Sequence, residues 1–190
     1  MTEMKEQKNA SKNKSLGQGV FYRSDDYAGF SKRIIIYFVD VFAILGFCIF
    51  FTPTGLSFFY DEFDALMKAN LLYAVPVVAF IYLVFIKRTN FGTLGYWLAG
   101  VKVVSLEGKR PSVFQMTLRF ALLTLGPIHP LIDFIWLAGD KDRQTLRDKI
   151  EGTYIVRDWA VPIGQGDITL SKYNLLGFSF FFKEVKRPTI

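Results

Sequence analysis

The chain alternates long apolar blocks with short charged segments. Two blocks lie at about 34–52 and 70–87. Each approaches the roughly 17–25 helical residues that cross a hydrocarbon core of about 30 Å. Pro76 lies inside the second block and predicts a kink, because proline cannot donate a backbone hydrogen bond. The pattern predicts two transmembrane helices.

A third apolar block, about 113–138, is interrupted by the sequence GPIHP at 126–130. Two prolines and a glycine break a helix. The block is therefore either one kinked span or a re-entrant hairpin of two half-helices. Four basic residues follow within 141–149, and a hairpin returns them to the cytoplasmic side, which the positive-inside rule favours.

Shorter patterns complete the expected fold. Leu94, Trp97, Leu98 and Val101 form one apolar stripe, which suits a short amphipathic helix lying in the membrane interface. The runs 101–106 and 154–156 are strand-like, and Ser112 with Gln115 fits a helix-starting capping box. We therefore expect an all-α membrane protein with two transmembrane helices, the Pro-broken third segment, an interfacial amphipathic helix and short strand-like cytoplasmic segments.

The basic residues indicate the orientation. The net charge is +6, and the Lys and Arg residues cluster in 1–33 and 87–119, whereas the loop at 53–69 carries three acids and one Lys. By the positive-inside rule the N-terminus is cytoplasmic. The charge follows the membrane segments, so we do not expect nucleic-acid binding. Residues 1–27 lack the apolar stretch of a signal peptide and are expected to form a disordered polar tail.

Asp40 lies inside the first predicted span, where a charged carboxylate costs about 2.5–3.5 kcal/mol at the bilayer centre. Arg33 lies seven residues earlier, and its side chain should lean away toward the headgroups. Arg119, at the cytoplasmic start of the third block, is the expected partner. Asp40 is then either half of a buried clamp between two helices or a binding site for a cation or proton.

Three further residues are candidates for the same chemistry. Asp133 lies in the third block and needs a partner, and His129 stands four residues before it. His129 either carries a proton near neutral pH or forms a hydrogen bond in the turn. Asp148 lies between two basic residues, and we expect it at the cytoplasmic surface as a helix or turn cap or as a ligand-binding residue.

The sequence lacks the motifs of an enzyme. The single cysteine, Cys48, excludes an intramolecular disulfide and a cysteine metal cluster. The stretch 140–151 has acids at three EF-hand positions but lacks the central Gly and carries four basic residues. We expect no enzymatic activity, no cofactor and no metal.

Several segments together resemble the RDD family of small membrane proteins, which is named for an arginine and two aspartates. The opening AGFSKRIIIYFVDVFAIL supplies Arg33 and Asp40 at the family's spacing. GTLGYWLAGVKVVSLEGKRPSVFQMTLR resembles the middle elements, and QTLRDKIEGTYIV the closing motif, in which Asp148 matches the second aspartate. Asp133 competes for that assignment. The resemblance covers about 28–157 and leaves 158–190 as an extension, expected at the membrane surface.

The resemblance implies a multispanning protein of a bacterial cytoplasmic membrane and suggests transport of an unidentified ligand. Two functions follow as hypotheses. One is transport of a small ion or ligand, such as cation/proton exchange, using Asp40, Asp133 and His129. The other is a non-catalytic scaffold or accessory subunit that binds another membrane protein or lipid. Expected partners are the lipid bilayer and a second copy of the chain or other membrane proteins.

Overall fold

The computed structural model describes residues 15–51, 65–124, 129–175 and 178–187. Its helices are α1 (Phe30–Phe51), α2 (Ala65–Phe80, continued as a π-helix over Ile81–Ile86), α3 (Leu94–Ala99), α4 (Val113–Thr124), α5 (His129–Gly139) and α6 (Leu146–Glu151). A 3₁₀ turn covers Ser24–Asp26. The strands are β1 (Gln18–Phe21), β2 (Val101–Ser105), β3 (Thr153–Arg157), β4 (Gly164–Leu175) and β5 (Phe178–Lys186).

The strands form two antiparallel sheets. One has the order β1-β4-β5, and the other pairs β2 with β3 so that Val103 lies opposite Ile155. Successive side chains of a strand point to opposite faces. Val104, Tyr154 and Val156 accordingly face a core shared with the three-stranded sheet. Val103 and Ile155 face the helices, so both sides of the two-stranded sheet are buried.

Helix α1 lies on the face of the two-stranded sheet that carries Val103 and Ile155. The helix is itself almost entirely apolar. Its first half packs on α3, where Gly95 lets the two backbones approach closely. Large side chains of α1 remain exposed on its other side, including Phe38, Phe42 and Phe50. Among the described residues, one helix (Phe30–Phe50) is long and apolar enough to cross a membrane.

Helices α4 and α5 both pack against α6. Ser112 and Gln115 form the expected capping box, with Ser112 N donating to Gln115 Oε1 (2.9 Å) and Gln115 N donating to Ser112 Oγ (3.1 Å). Arg119 of α4 and Asp133 of α5 both contact α6. The third apolar block therefore forms two helices that double back rather than one kinked span. The intervening residues 125–128 lie outside the described residues.

The C-terminal extension builds most of the three-stranded sheet. Strand β1, which lies within the tail expected to be disordered, pairs with β4, so residues 18–21 are ordered. Trp136 of α5 packs against Tyr173 and Phe182 of the β4–β5 hairpin, with ring centroids 5.6 and 5.7 Å apart. The extension therefore packs directly on the helices.

The expectation of an all-α fold with two transmembrane helices is wrong. The described residues contain two antiparallel sheets and one helix that meets the requirements for a span. In the second block the described apolar stretch Tyr73–Ile86 is shorter than a span, and the third block is divided between two short helices. The prediction counted apolar residues alone, and such a count does not show the sheets that the segments between and after the apolar runs form. The predicted strand-like segments, in contrast, are the strands β2 and β3.

Candidate functional site

Four ionisable side chains from three helices form a buried charge cluster. Its members are Arg33 of α1, Arg119 of α4, and Asp148 and Glu151 of α6, and each is at most 7% exposed. Asp148 lies between the two arginines, with Oδ2 2.7 Å from Arg33 Nη1 and Oδ1 2.6 Å from Arg119 Nη1. Glu151 Oε2 lies 3.1 Å from the same Arg119 nitrogen. Two guanidinium groups thus meet two carboxyl groups away from water.

Local hydrogen bonds fix Asp148 within this buried charge cluster. Thr145 begins α6 with a capping box: its hydroxyl accepts from Asp148 N, and its backbone N donates to Asp148 Oδ2 at 2.9 Å. Arg33 is held from the other side, because Nε donates to Ala28 O and Nη2 donates to Arg143 O. The same carboxylate therefore caps α6 and joins α6 to α1 and α4.

The pKa values of the two carboxyl groups of the cluster are shifted in opposite directions. Burial alone would raise the pKa of Asp148, but the charges of Arg119 and Arg33 outweigh it and hold that pKa well below its usual range. Burial raises the pKa of Glu151 to about 8, and the charge of Arg119 opposes the shift without cancelling it. Asp148 is therefore the permanent anion, whereas Glu151 gains or loses a proton near neutral pH.

Asp40 lies on α1 two turns beyond Arg33 and is 4% exposed. Its Oδ1 accepts hydrogen bonds from Gly95 N (2.9 Å) and Tyr82 Oη (3.1 Å). Its Oδ2 accepts from Thr93 Oγ1 at 2.9 Å and lies 3.9 Å from Lys87 Nζ. These donors come from α2, α3 and the residues beside them, so Asp40 connects α1 to both helices.

A cavity of about 90 Å³ lies between Asp40 and the buried charge cluster. Six acidic or basic side chains line it, and they are Arg33, Asp40, Lys87, Arg119, Asp133 and Arg147. Lys87 Nζ lies 4.4 Å from the ring centroid of Tyr96, which also lines the cavity. The Tyr96 hydroxyl is buried and has no hydrogen-bond partner among the described residues. The cavity thus combines a small volume with charged and polar groups that are directed at it.

Asp133 and Arg147 form a second ion pair on the wall of the cavity. Arg147 donates to Asp133 through both its backbone N (3.1 Å) and its guanidinium Nε. This pair joins the middle of α5 to the first residues of α6. Asp133 therefore has a basic partner, as its position in an apolar block requires.

A family model, described as the RDD family, matches residues 27–152, which is more than half of the chain. The chain belongs to the RDD family. No curated protein and no solved structure matches the chain significantly. The family match contains Arg33, Asp40 and Asp148, and it ends before the strands that form most of the three-stranded sheet.

The structure brings Arg33 and Asp148 of this RDD protein into direct contact. Arg33 was expected to point toward the headgroups, but it is buried because Asp148 and two carbonyl oxygens satisfy its donors. Asp148 was expected at the surface and is instead fully buried, although its role as a helix cap is confirmed. Asp133, the competing candidate, pairs with Arg147.

The expected partner of Asp40 was wrong. Arg119 contacts Asp148 and Glu151 instead, and the cation beside Asp40 is Lys87. Lys87 appeared in the sequence as the basic residue that closes the second apolar block, and nothing in that pattern distinguishes an anchor from a buried cation. The side chain of His129 lies outside the described residues. Within those residues, no three His, Cys, Asp or Glu side chains converge as metal ligands would.

The opposite pKa shifts of Asp148 and Glu151 predict how the stability of the RDD protein depends on pH. Asp148 has a lowered pKa, so its stabilisation is present above about pH 4 and is lost as pH falls further. Glu151 has a raised pKa, so its contribution is complete below about pH 4 and is lost as pH rises toward about 8. Between these values the folded state holds a proton that the unfolded state lacks, and stability falls by at most about 1.4 kcal/mol per pH unit.

Thermal unfolding in detergent micelles between pH 5 and 6 tests this expectation, because in this range Lys87, whose pKa burial lowers to about 7, stays protonated in both the folded and the unfolded state. The melting temperature of the wild type should decrease across the range, and Glu151→Gln should flatten the decrease because Gln does not titrate. Glu107→Gln, on an exposed turn, is the matched control and should keep the wild-type slope. The same slope in Glu151→Gln and wild type would show that Glu151 does not hold the proton.

Proposed function

We propose that this RDD protein lies in the bacterial cytoplasmic membrane with its N-terminus inside, and that it exchanges a small monovalent cation for a proton at Asp40. One observation carries the proposal: Asp40 and Lys87, both largely buried, lie on one small cavity with their charged atoms 3.9 Å apart. We propose no enzymatic activity and no cofactor.

The geometry supports an exchange because Lys87 occupies the position that a bound cation would take. Tyr82, Thr93 and Gly95 donate hydrogen bonds to the carboxylate of Asp40 and hold it at the cavity beside Lys87. When the ammonium of Lys87 releases its proton, Asp40 loses its counter-charge, and a cation can enter the cavity to replace it. Protonation of Lys87 restores the ammonium and expels the cation, so one proton exchanges for one monovalent cation.

The protonation state of Lys87 is suited to this role. Lys87 follows the last residue of the π-helix, and only 12% of its side chain is exposed. Burial lowers its pKa to about 7, and the charge of Asp40 offsets only part of this effect. The proton is therefore gained and lost within the physiological range, which is the range in which an exchanger works.

The described residues contain one candidate membrane helix, and a single helix cannot enclose a pathway by itself. The proposal therefore includes a homo-oligomer, in which apolar helices of neighbouring copies surround the route to each cavity. The exposed side chains Phe38, Phe42 and Phe50 of α1 provide apolar surface for such contacts and for lipid.

Proteoliposomes containing a trapped pH-sensitive dye test the proposal. A proton gradient is imposed, Na⁺, K⁺ or Li⁺ is added outside, and wild type should dissipate the gradient when its cation is present. Asp40→Asn should abolish the response, because Asn provides no charge for the cation. Lys87→Met should still bind the cation but lose the proton coupling. The exposed Asp158→Asn is the matched control and should keep wild-type rates.

Folding is measured for every variant by size-exclusion chromatography and circular dichroism before reconstitution. Folded wild type that leaves the gradient intact with all three cations would overturn the exchange proposal. Equal activity of Asp40→Asn and wild type would overturn the role of Asp40.

The second candidate function is a membrane scaffold or accessory subunit. It is favoured by the complete hydrogen bonding of Asp40, whose three donors connect three helices. In that case Asp40→Asn loses folded protein rather than transport, and the amount of membrane-inserted protein after extraction distinguishes the two functions.

A further inference from the structure

A groove of about 500 Å³ lies between α3, β2 and the turn that follows β2. Four cationic side chains line it, namely Arg88, Lys102, Lys109 and Arg110. We call this surface the basic groove. One carboxylate, Asp158, is also present, so cations outnumber anions four to one among the described lining residues.

Among the described residues, the four cations of the basic groove have no carboxylate partner. Arg88 Nε donates to the carbonyl oxygen of Pro111 (2.8 Å), and Arg110 Nη2 donates to Asn90 Oδ1. Within the described residues, no ion pair involves any of the four. Asp158 accepts from its neighbour Trp159 N. The groove therefore keeps a net positive charge and is complementary to an anion.

Apolar side chains border the basic groove on the side of α3. Phe91 and Trp97 line the groove and are 87% and 71% exposed. Leu94 and Leu98 extend the same exposed stripe along α3, as the sequence pattern predicted. Exposed aromatic rings of this kind are favoured where a bilayer meets water. A soluble anion gains nothing from such a border.

The position of α3 places this border beside the apolar surface of α1. A Cβ on Gly95 of α3 would lie within 3 Å of the Ile36 backbone, so the two helices are in close contact. Ile36 is less than two turns from the first residue of α1, the helix that is long and apolar enough to cross a membrane. The basic groove is therefore positioned where the headgroups surround the end of α1.

We propose that the basic groove binds the headgroup of an anionic phospholipid in the cytoplasmic leaflet. The phosphate lies among Arg88, Lys102 and Arg110, and the acyl chains lie along Phe91 and Trp97. Clusters of Lys and Arg at the cytoplasmic end of a membrane helix attract anionic lipid by this mechanism. This inference does not depend on ion exchange at Asp40.

Native mass spectrometry of the full chain in detergent tests the proposal. The protein is titrated with phosphatidylglycerol, with phosphatidylcholine and, separately, with inorganic phosphate. Wild type should retain phosphatidylglycerol in preference to phosphatidylcholine. The double variant Lys102→Gln/Arg110→Gln should weaken retention about 25-fold, since each Lys or Arg contributes about fivefold near an anionic surface. Lys172→Gln/Lys183→Gln, on exposed β4 and β5 positions, makes the same charge change and should alter retention less than twofold.

Each alternative predicts a different result. Equal loss in both double variants would show attraction by net charge alone and would overturn a defined site. Retention unchanged by Lys102→Gln/Arg110→Gln would also overturn it. Trp97→Ser should weaken phosphatidylglycerol binding without affecting inorganic phosphate, whereas competition by inorganic phosphate at the lipid's own affinity would identify a free phosphate as the ligand and overturn the lipid proposal.

Discussion

Replacing Asp148 by Asn is expected to lower the free energy of unfolding by about 3–5 kcal/mol. Asp148 lies within 2.7 Å of both Arg33 and Arg119, and all three side chains are buried. Asn removes the negative charge but keeps the volume, so two guanidinium groups remain buried with Glu151 as their acidic neighbour. Chemical unfolding in detergent micelles, followed by circular dichroism, measures the change.

The exposed Asp158→Asn makes the same chemical change and should alter stability by less than about 0.5 kcal/mol. Removing Arg33 as well, in Arg33→Met/Asp148→Asn, should recover part of the loss because one uncompensated charge disappears. A loss below about 1 kcal/mol for Asp148→Asn would contradict the assignment of Asp148 as the centre of the buried charge cluster.

Replacing Gly95 by Ala is expected to separate α3 from α1. The added Cβ would lie 2.7 Å from Asp40 Oδ1, 2.7 Å from Ile36 O and 2.9 Å from Ile36 Cα. Two of these atoms belong to the backbone of a helix and cannot move aside, so α3 itself must shift. The overpacking costs about 1–3 kcal/mol, and the hydrogen bond from Gly95 N to Asp40 is lost in addition. The melting temperature should fall, and cation exchange at Asp40 should fall with it.

Gly139→Ala is the control for this change, because a Cβ at Gly139 meets no atom within 4 Å. Ala is favoured over Gly in a helix by about 0.5–1 kcal/mol, so this variant should be neutral or slightly stabilised. A Gly95→Ala variant as stable as Gly139→Ala would mean that α3 does not approach α1 as closely as the structure shows.

Local signals in the sequence predicted the local features of the structure. The capping box at Ser112 and Gln115 and the strands β2 and β3 were predicted because each depends on residues within a few positions. The exposed stripe of α3 followed from helical periodicity as far as Leu98. Val101 did not extend it, since Gly100 ends the helix in a left-handed conformation and Val101 begins a buried strand.

Long-range pairing was not predictable from the same signals. Asp40 and Arg119 were expected to meet because both were placed at a similar depth in the membrane, yet each has a partner nearer to it in space. Sequence spacing also could not show that the C-terminal extension returns to pair with β1, because strand partners are chosen by contacts across the whole chain. The burial of Lys87 was not predictable for the same reason. Its neighbours Asp40 and Tyr96 come from other elements.

The contact between Arg33 and Asp148 has a consequence for biosynthesis. Asp148 leaves the ribosome about 115 residues after Arg33, which at roughly 5–20 residues per second is a delay of about 6–23 s. During that interval the nascent α1 has its arginine without its final counter-ion. A nascent chain that stops short of α6 therefore presents Arg33 and Arg119 without the carboxylate that joins them.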